Sequence, residues 1–306
     1  MSLRLRLLAL AVRWIARPML QRTMLQRTGD AGRARRNFDR LAHLVRVPPY
    51  TLHLVDAGPV PLHLISVRRH RMEWVILYLH GGAYVSGSPR THLAIMARLA
   101  KLTEMQVAAP RYRLAPEHPA PAAFDDAVTA HARLMQMGYP AGRIILGGDS
   151  AGGGLALALM ADLCRRGLTP AGLFAFSPWT DFAMTGASLQ TNAARDPLLP
   201  ADRMPEVVAM VLAGFEPRDP RISPLYATYI APPPVFFQVG AEEILLDDSR
   251  RMAEVLRHAG GTVTVQEWPD CPHVWQMLDG YLPEARQALI QTADFIDSLS
   301  TQQSDS

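Results

Sequence analysis

The chain has 306 residues, with 31 Lys and Arg against 28 Asp and Glu, 49% hydrophobic and 19% charged, a balance that excludes disordered and collagen-like chains and leaves room for a large core. Two cysteines, Cys164 and Cys271, cannot build a disulfide framework, which excludes the small secreted scaffolds and points to a reducing compartment, the cytoplasm. The positive charge is local: residues 1–46 carry eleven Arg against two Asp, a net +9, and the other 260 residues a net −6.

In chain order the N-terminal segment comes first. Leu5, Leu8, Val12 and Ile15 recur at helical steps while Arg6, Arg13 and Arg17 lie on another side, which predicts an amphipathic helix. Its apolar run, residues 7–12, is far short of the ~20 residues that span a bilayer. No small-residue cleavage site precedes Arg17-Pro18, so the segment reads as neither membrane anchor nor signal peptide. Packing on the same chain is the expectation and peripheral membrane contact its competitor. Nucleic acid is not expected, since neither aromatic interleaving nor a motif supports it.

Residues 51–56 and 61–67 alternate apolar and polar around Ala57-Gly58-Pro59, which predicts a half-exposed antiparallel hairpin. Solid apolar runs follow at 74–79, 105–109, 143–146, 171–176, 235–239 and 262–267, with helical patterns between most of them. The economical fold class is α/β, a mostly parallel central sheet flanked by helices. Between Ser177 and Pro234 lie ten prolines and one convincing helix, at 203–212, too long a stretch for an ordinary connection. It is expected to cover the carboxyl edge of the sheet, where open α/β sheets bind ligands. The expected organisation is an N-terminal helical cap segment at 1–46, a core of 47–177 and 233–306, and a cap insertion at 178–232.

Gly148-Asp149-Ser150-Ala151-Gly152 matches the G-x-S-x-G elbow that presents a nucleophilic serine between a strand and a helix. The run at 143–146 enters it and a small-residue helical stretch at 153–163 leaves it, the context the motif needs. A turn that tight is tolerated only beside glycine; the competing reading is a glycine-rich turn with a helix-capping serine. A serine nucleophile needs a base and a cradle for developing negative charge. His80-Gly81-Gly82-Ala83 follows the run at 74–79, so the N–H groups of Gly81, Gly82 and Ala151 are the expected oxyanion hole, with His80 bracing the turn. Of ten histidines, only His273 lies beyond the last predicted strand, which makes it the expected base. The acid belongs between Ser150 and His273. Glu243, in the loop after 235–239, is the candidate and Glu242 its nearest competitor, while Asp247 and Asp248 read as helix caps.

Five blocks, taken in order, resemble those of the bacterial hormone-sensitive-lipase family of esterases: 80–83 (HGGA), 112–123 (YRLAPEHPAPAA), 147–153 (GGDSAGG), 177–181 (SPWTD) and 270–274 (DCPHV). The resemblance spans about residues 72–295. It implies an α/β-hydrolase fold with a helical cap, no cofactor, and hydrolysis of small short- to medium-chain carboxylic esters through an acyl-enzyme. It also implies a homodimer formed through the edge strand at 262–267. Many members carry Asp in a G-x-x-D-P-L block, whereas Gly240-Ala241-Glu242-Glu243-Ile244-Leu245 resembles the glutamate-bearing subgroup. Two alternatives stay open: an amide or formamide hydrolase with the same triad, and a ligand-binding relative without turnover, although such relatives typically lose the histidine that His273 supplies. No metal is expected, because Cys164 and Cys271 are far apart and no His pair has ligand spacing. The glycine clusters lack P-loop and dinucleotide signatures.

Overall fold

The computed structural model describes Ser2, Leu5 and residues 31–42, 45–67 and 70–302. Eight strands form one sheet in the order β1-β2-β4-β3-β5-β6-β7-β8. They are β1 (Thr51–Asp56), β2 (Leu62–Val67), β3 (Val75–Leu79), β4 (Gln106–Pro110), β5 (Ile144–Asp149), β6 (Gly172–Phe176), β7 (Val235–Gly240) and β8 (Val263–Trp268). Each lies within three residues of its expected position. β1 and β2 form the antiparallel hairpin, β2 is also antiparallel to β4, and from β3 to β8 neighbours run parallel.

Strands β3 to β7 are buried on both faces because helices cover both, whereas the edge strand β8, expected among the solid apolar runs, is only partly buried. The helices are α1 (Ala31–Ala42), α2 (Leu93–Thr103), α3 (Ala122–Gln136), α4 (Ser150–Arg165), α5 (Ser188–Thr191), α6 (Met204–Leu212), α7 (Leu246–His258) and α8 (Pro283–Gln302). On β3 the period of two divides the side chains. Val75, Leu77 and Leu79 pack with α3, α4, α6 and α7, while Ile76 and Tyr78 pack with α2 and α8. All the parallel strands therefore end at one rim, where their outgoing loops gather.

Of the amphipathic pattern at the N-terminus, Leu8, Val12, Ile15, Arg6, Arg13 and Arg17 lie outside the described residues. Leu5 is helical and buried against Cys271, Trp275 and Leu282. Ser2 donates from its N–H and its hydroxyl to the Glu284 carboxylate at 2.7 and 2.9 Å. Among the described residues no helix is long and apolar enough to cross a membrane.

One expectation is corrected here. Asp247 and Asp248 open α7 but do not cap it. Asp247 Oδ2 accepts from Ser188 N (2.8 Å), and Asp248 Oδ1 accepts from the N–H groups of Thr180 (2.6 Å) and Asp181 (3.0 Å), so both bind the β6–β7 connection to α7. Burial first, then the charge of Asp181, pushes the Asp248 carboxyl up to about 7 despite those donors.

Candidate active site

Ser150 stands where β5 becomes α4, in a left-handed conformation with φ of 53°. Both outer glycines of the elbow are required by proximity. A Cβ on Gly148 would lie 2.6 Å from Leu79 O, and one on Gly152 would lie 2.1 Å from Leu79 O and 2.3 Å from His80 O. The end of β3 thus presses on the elbow, and no larger side chain fits between them.

Ser150 Oγ is 2.9 Å from His273 Nε2, and His273 Nδ1 is 2.6 Å from Glu243 Oε2. Three side chains 30 and 123 residues apart in sequence meet in one line of hydrogen bonds. The two neighbouring glutamates divide cleanly. Glu243 is fully buried, whereas Glu242 points outward to Arg195, 3.0 Å away, with a third of its side chain exposed. The other carboxylate oxygen of Glu243, Oε1, accepts from Ser177 Oγ at 2.6 Å and from Gly240 N at 2.7 Å. Ser177, at the end of β6, has φ of 47° and is fully buried. Burial pulls the His273 imidazole pKa down, but the charge and hydrogen bond of Glu243, with Asp196 and Asp149 beyond it, raise it above 6.5 on balance. Cys271, two residues earlier, is buried, and its thiol is pushed up to about 12 by burial and by surrounding carboxylates, so it stays protonated.

The expected oxyanion donors need a correction at Gly81. Its N–H donates to Asp149 Oδ1 at 3.0 Å and is not free to face a substrate. Among the described residues none accepts from the N–H groups of Gly82, Ala83 or Ala151, so the available donors sit one residue further along the loop. Gly82 and Ala83 both have positive φ, 115° and 55°, which turns consecutive N–H groups to one side.

Asp149 organises the floor beneath this loop. It also accepts from Tyr78 OH (2.8 Å) and lies 3.4 Å from His92 Nε2. Burial alone would raise its pKa, but His92, Tyr78 and His80 hold it below the usual carboxylate value. His80 is fully buried, stacks on Tyr112 with ring centroids 4.1 Å apart, and is driven down to about 3 by burial and by His92, so it braces the turn as a neutral ring. The YRLAPEHP block fastens its own turn, since Arg113 pairs with Asp126 (2.8 Å) and Arg35 of α1 pairs with Glu117 and donates to Val85 O.

Sequence reasoning missed Ser177, His92, Asn192 and Asp196. Ser177 opens the block at 177–181 and His92 lies in a helical pattern, and neither position carried a signal of its own role. Asp196-Pro197 carried the signature of a turn in which a carboxylate accepts N–H groups ahead of it. No His/Cys/Asp/Glu cluster among the described residues could hold a metal ion.

The alpha/beta hydrolase fold family matches residues 76–277. The chain is 39% identical over 251 residues to an acetyl-hydrolase of Streptomyces hygroscopicus, covering 79% of this chain and 84% of that protein. It is 40% identical over 227 residues to an esterase of Acinetobacter venetianus, covering 74% and 75%. Among solved structures, an esterase from the bacterial hormone-sensitive lipase family superposes with a TM-score of 0.90 at 35% identity, over 98% of this chain and 99% of that one.

Proposed function

Since the chain belongs to the α/β-hydrolase superfamily, as a carboxylic ester hydrolase of its hormone-sensitive-lipase family, we propose that it cleaves esters with Ser150 as nucleophile, His273 as base and Glu243 as acid. Ser150 Oγ attacks the ester carbonyl while its proton passes to His273 Nε2. Glu243 keeps the Nδ1 proton of the ring in place and stabilises the imidazolium. The carbonyl oxygen, now negative, is held by the N–H groups of Gly82, Ala83 and Ala151. His273 then returns the proton to the leaving alcohol, and water repeats the sequence on the acyl-enzyme to release the acid. The observation that carries this reading is the unbroken line from Ser150 Oγ to Glu243 Oε2 at 2.9 and 2.6 Å.

The same proposal takes residues 1–46 and 178–232 as a cap. Leu5 packs beside the loop of His273, Arg35 holds the oxyanion loop at Val85, and Phe38 meets His92 edge-on at 5.5 Å. These contacts favour packing on the same chain over membrane contact for the N-terminal segment. Short to medium acyl chains are the proposed substrates, in keeping with relatives named acetyl-hydrolase and esterase. A homodimer pairing along β8, the last strand of the sheet, and a cytoplasmic location, in keeping with two free buried cysteines, complete the reading.

The test is a series of p-nitrophenyl esters of graded acyl length beside an anilide analogue, run on the wild type and on Ser150→Ala. Turnover of the shorter esters, abolished in Ser150→Ala with the fold intact, is expected. Residual activity within about tenfold of wild type would remove Ser150 from the mechanism, and faster turnover of the anilide would favour amide hydrolysis.

A further inference from the structure

Glu243 is carried on a loop, residues 241–245, and side chains from one stretch of the β6–β7 connection hold that loop's backbone. Asn192 Nδ2 donates to Glu243 O at 2.9 Å and to Ala241 O at 3.3 Å. Asp196 Oδ2 accepts from Ile244 N at 2.8 Å. Ser188 Oγ donates to Ile244 O at 2.6 Å. The N–H and carbonyl groups flanking the acid are therefore fixed by residues about fifty positions earlier in the chain. Asp196 is itself immobilised, because its Oδ1 accepts from Leu198 N and Leu199 N, both at 2.8 Å. Asn192 and Asp196 are buried with Glu243.

We propose that Asn192 and Asp196 are positioning residues for the Glu243–His273 pair. They clamp the acid's backbone so that Oε2 meets His273 Nδ1, and they make the β6–β7 connection part of the catalytic geometry as well as a cover. The inference rests on Ser150, His273 and Glu243 acting as proposed above. A loop anchored only at its ends would let the carboxylate wander, and a displacement of about 1 Å can lower a rate about 100-fold.

Asp196 adds a charge to this geometry. The carboxylates whose charge favours protonated His273 are Glu243, Asp196 and Asp149, with the Asp196 pKa itself raised by burial and by the charge of Glu243, and the neighbouring Cys271 thiol is protonated. Arg195 and Glu242 pair with each other on the exposed side. A negative charge near the imidazole favours its protonated form, so removing the Asp196 charge should let the ring titrate at lower pH.

The experiment measures kcat and KM on a soluble p-nitrophenyl ester from about pH 5 to 9 for Asn192→Ala, Asp196→Asn and Glu243→Gln. Expected is a loss in kcat of up to about 100-fold in the first two, with KM within about twofold of wild type. The acid limb should move to lower pH in Asp196→Asn and stay in place in Asn192→Ala, a split that a merely structural role would not produce. Wild-type kcat and an unmoved limb in both, with Glu243→Gln inactive, would overturn this inference alone. Wild-type activity in Glu243→Gln would overturn the triad on which it rests. Should Asp196→Asn fail to fold, Asn192→Ala decides the matter, and an unchanged kcat there overturns the proposal.

Discussion

Replacing Glu243 by Gln changes one atom, and the surrounding donors dictate where that atom goes. Oε1 receives the N–H of Gly240 at 2.7 Å and the hydroxyl of Ser177 at 2.6 Å, while Oε2 faces His273 Nδ1 at 2.6 Å. A glutamine must put its carbonyl oxygen on the side of those two donors, because the reverse orientation sets its NH2 against the Gly240 N–H, which cannot turn away. Its NH2 group then points at Nδ1 and makes that nitrogen the acceptor. The ring proton moves to Nε2, which faces Ser150 Oγ at 2.9 Å and can no longer take the serine's proton. The negative charge that would stabilise the imidazolium is lost in the same step. The expected loss is ~10⁴ in kcat, as for the corresponding change in a serine protease, or ~5.5 kcal/mol of transition-state stabilisation. Steady-state hydrolysis of p-nitrophenyl acetate measures it, with circular dichroism confirming that the fold is retained. A kcat within about tenfold of wild type would refute the reasoning, and a large loss in Glu242→Gln instead would move the acid by one residue.

The pH profile has a defined sign: because Glu243 outweighs burial and raises His273 above 6.5, and only the neutral ring can accept the serine proton, kcat/KM should fall as pH drops through an apparent pKa above 6.5. A limb clearly below 6.5 would contradict the geometry of the pair. Gly152→Ala should reduce kcat by more than about 100-fold and lower Tm, since its Cβ would stand 2.1 Å from Leu79 O; near-normal kinetics would show that the elbow yields more easily than its packing implies. Deleting residues 2–20 removes Leu5, 1% exposed, whose loss alone is worth about 2–5 kcal/mol by the usual range for a buried leucine. Activity and Tm should fall together, whereas unchanged kinetics and Tm with lost binding to anionic vesicles would assign the segment to a membrane surface.

The strands were legible because their signals are local. A period of two marks the hairpin, of which only β1 is exposed while β2, expected half-exposed, is buried between β1 and β4, and solid runs such as 74–79 mark strands covered on both faces. The elbow was legible from its G-x-S-x-G spacing between a strand and a helix, although the crowding that demands Gly148 and Gly152 comes from Leu79 and His80 at the end of β3. His273 was expected from chain order, and the fold brings it within hydrogen-bond distance of Ser150 and Glu243. Choosing between Glu242 and Glu243 rested on spacing from Gly240, and the fold gives that choice its physical content: one side chain turns into Ser177, Gly240 and His273, the other out to Arg195 and water.

What the sequence could not determine was decided by contacts between distant segments. The Gly81 N–H, expected to face the substrate, is taken by Asp149, 68 positions later. Asp247 and Asp248 bind the β6–β7 connection instead of capping their own helix, because N–H groups from residues 180–188 arrive there only in the folded chain. The hold of Asn192 and Asp196 on the acid loop likewise spans 48 to 51 residues. A local pattern records which face of an element is apolar; which buried donor meets which carboxylate depends on how the β6–β7 connection lies across the ends of the strands, and only the packed fold sets that.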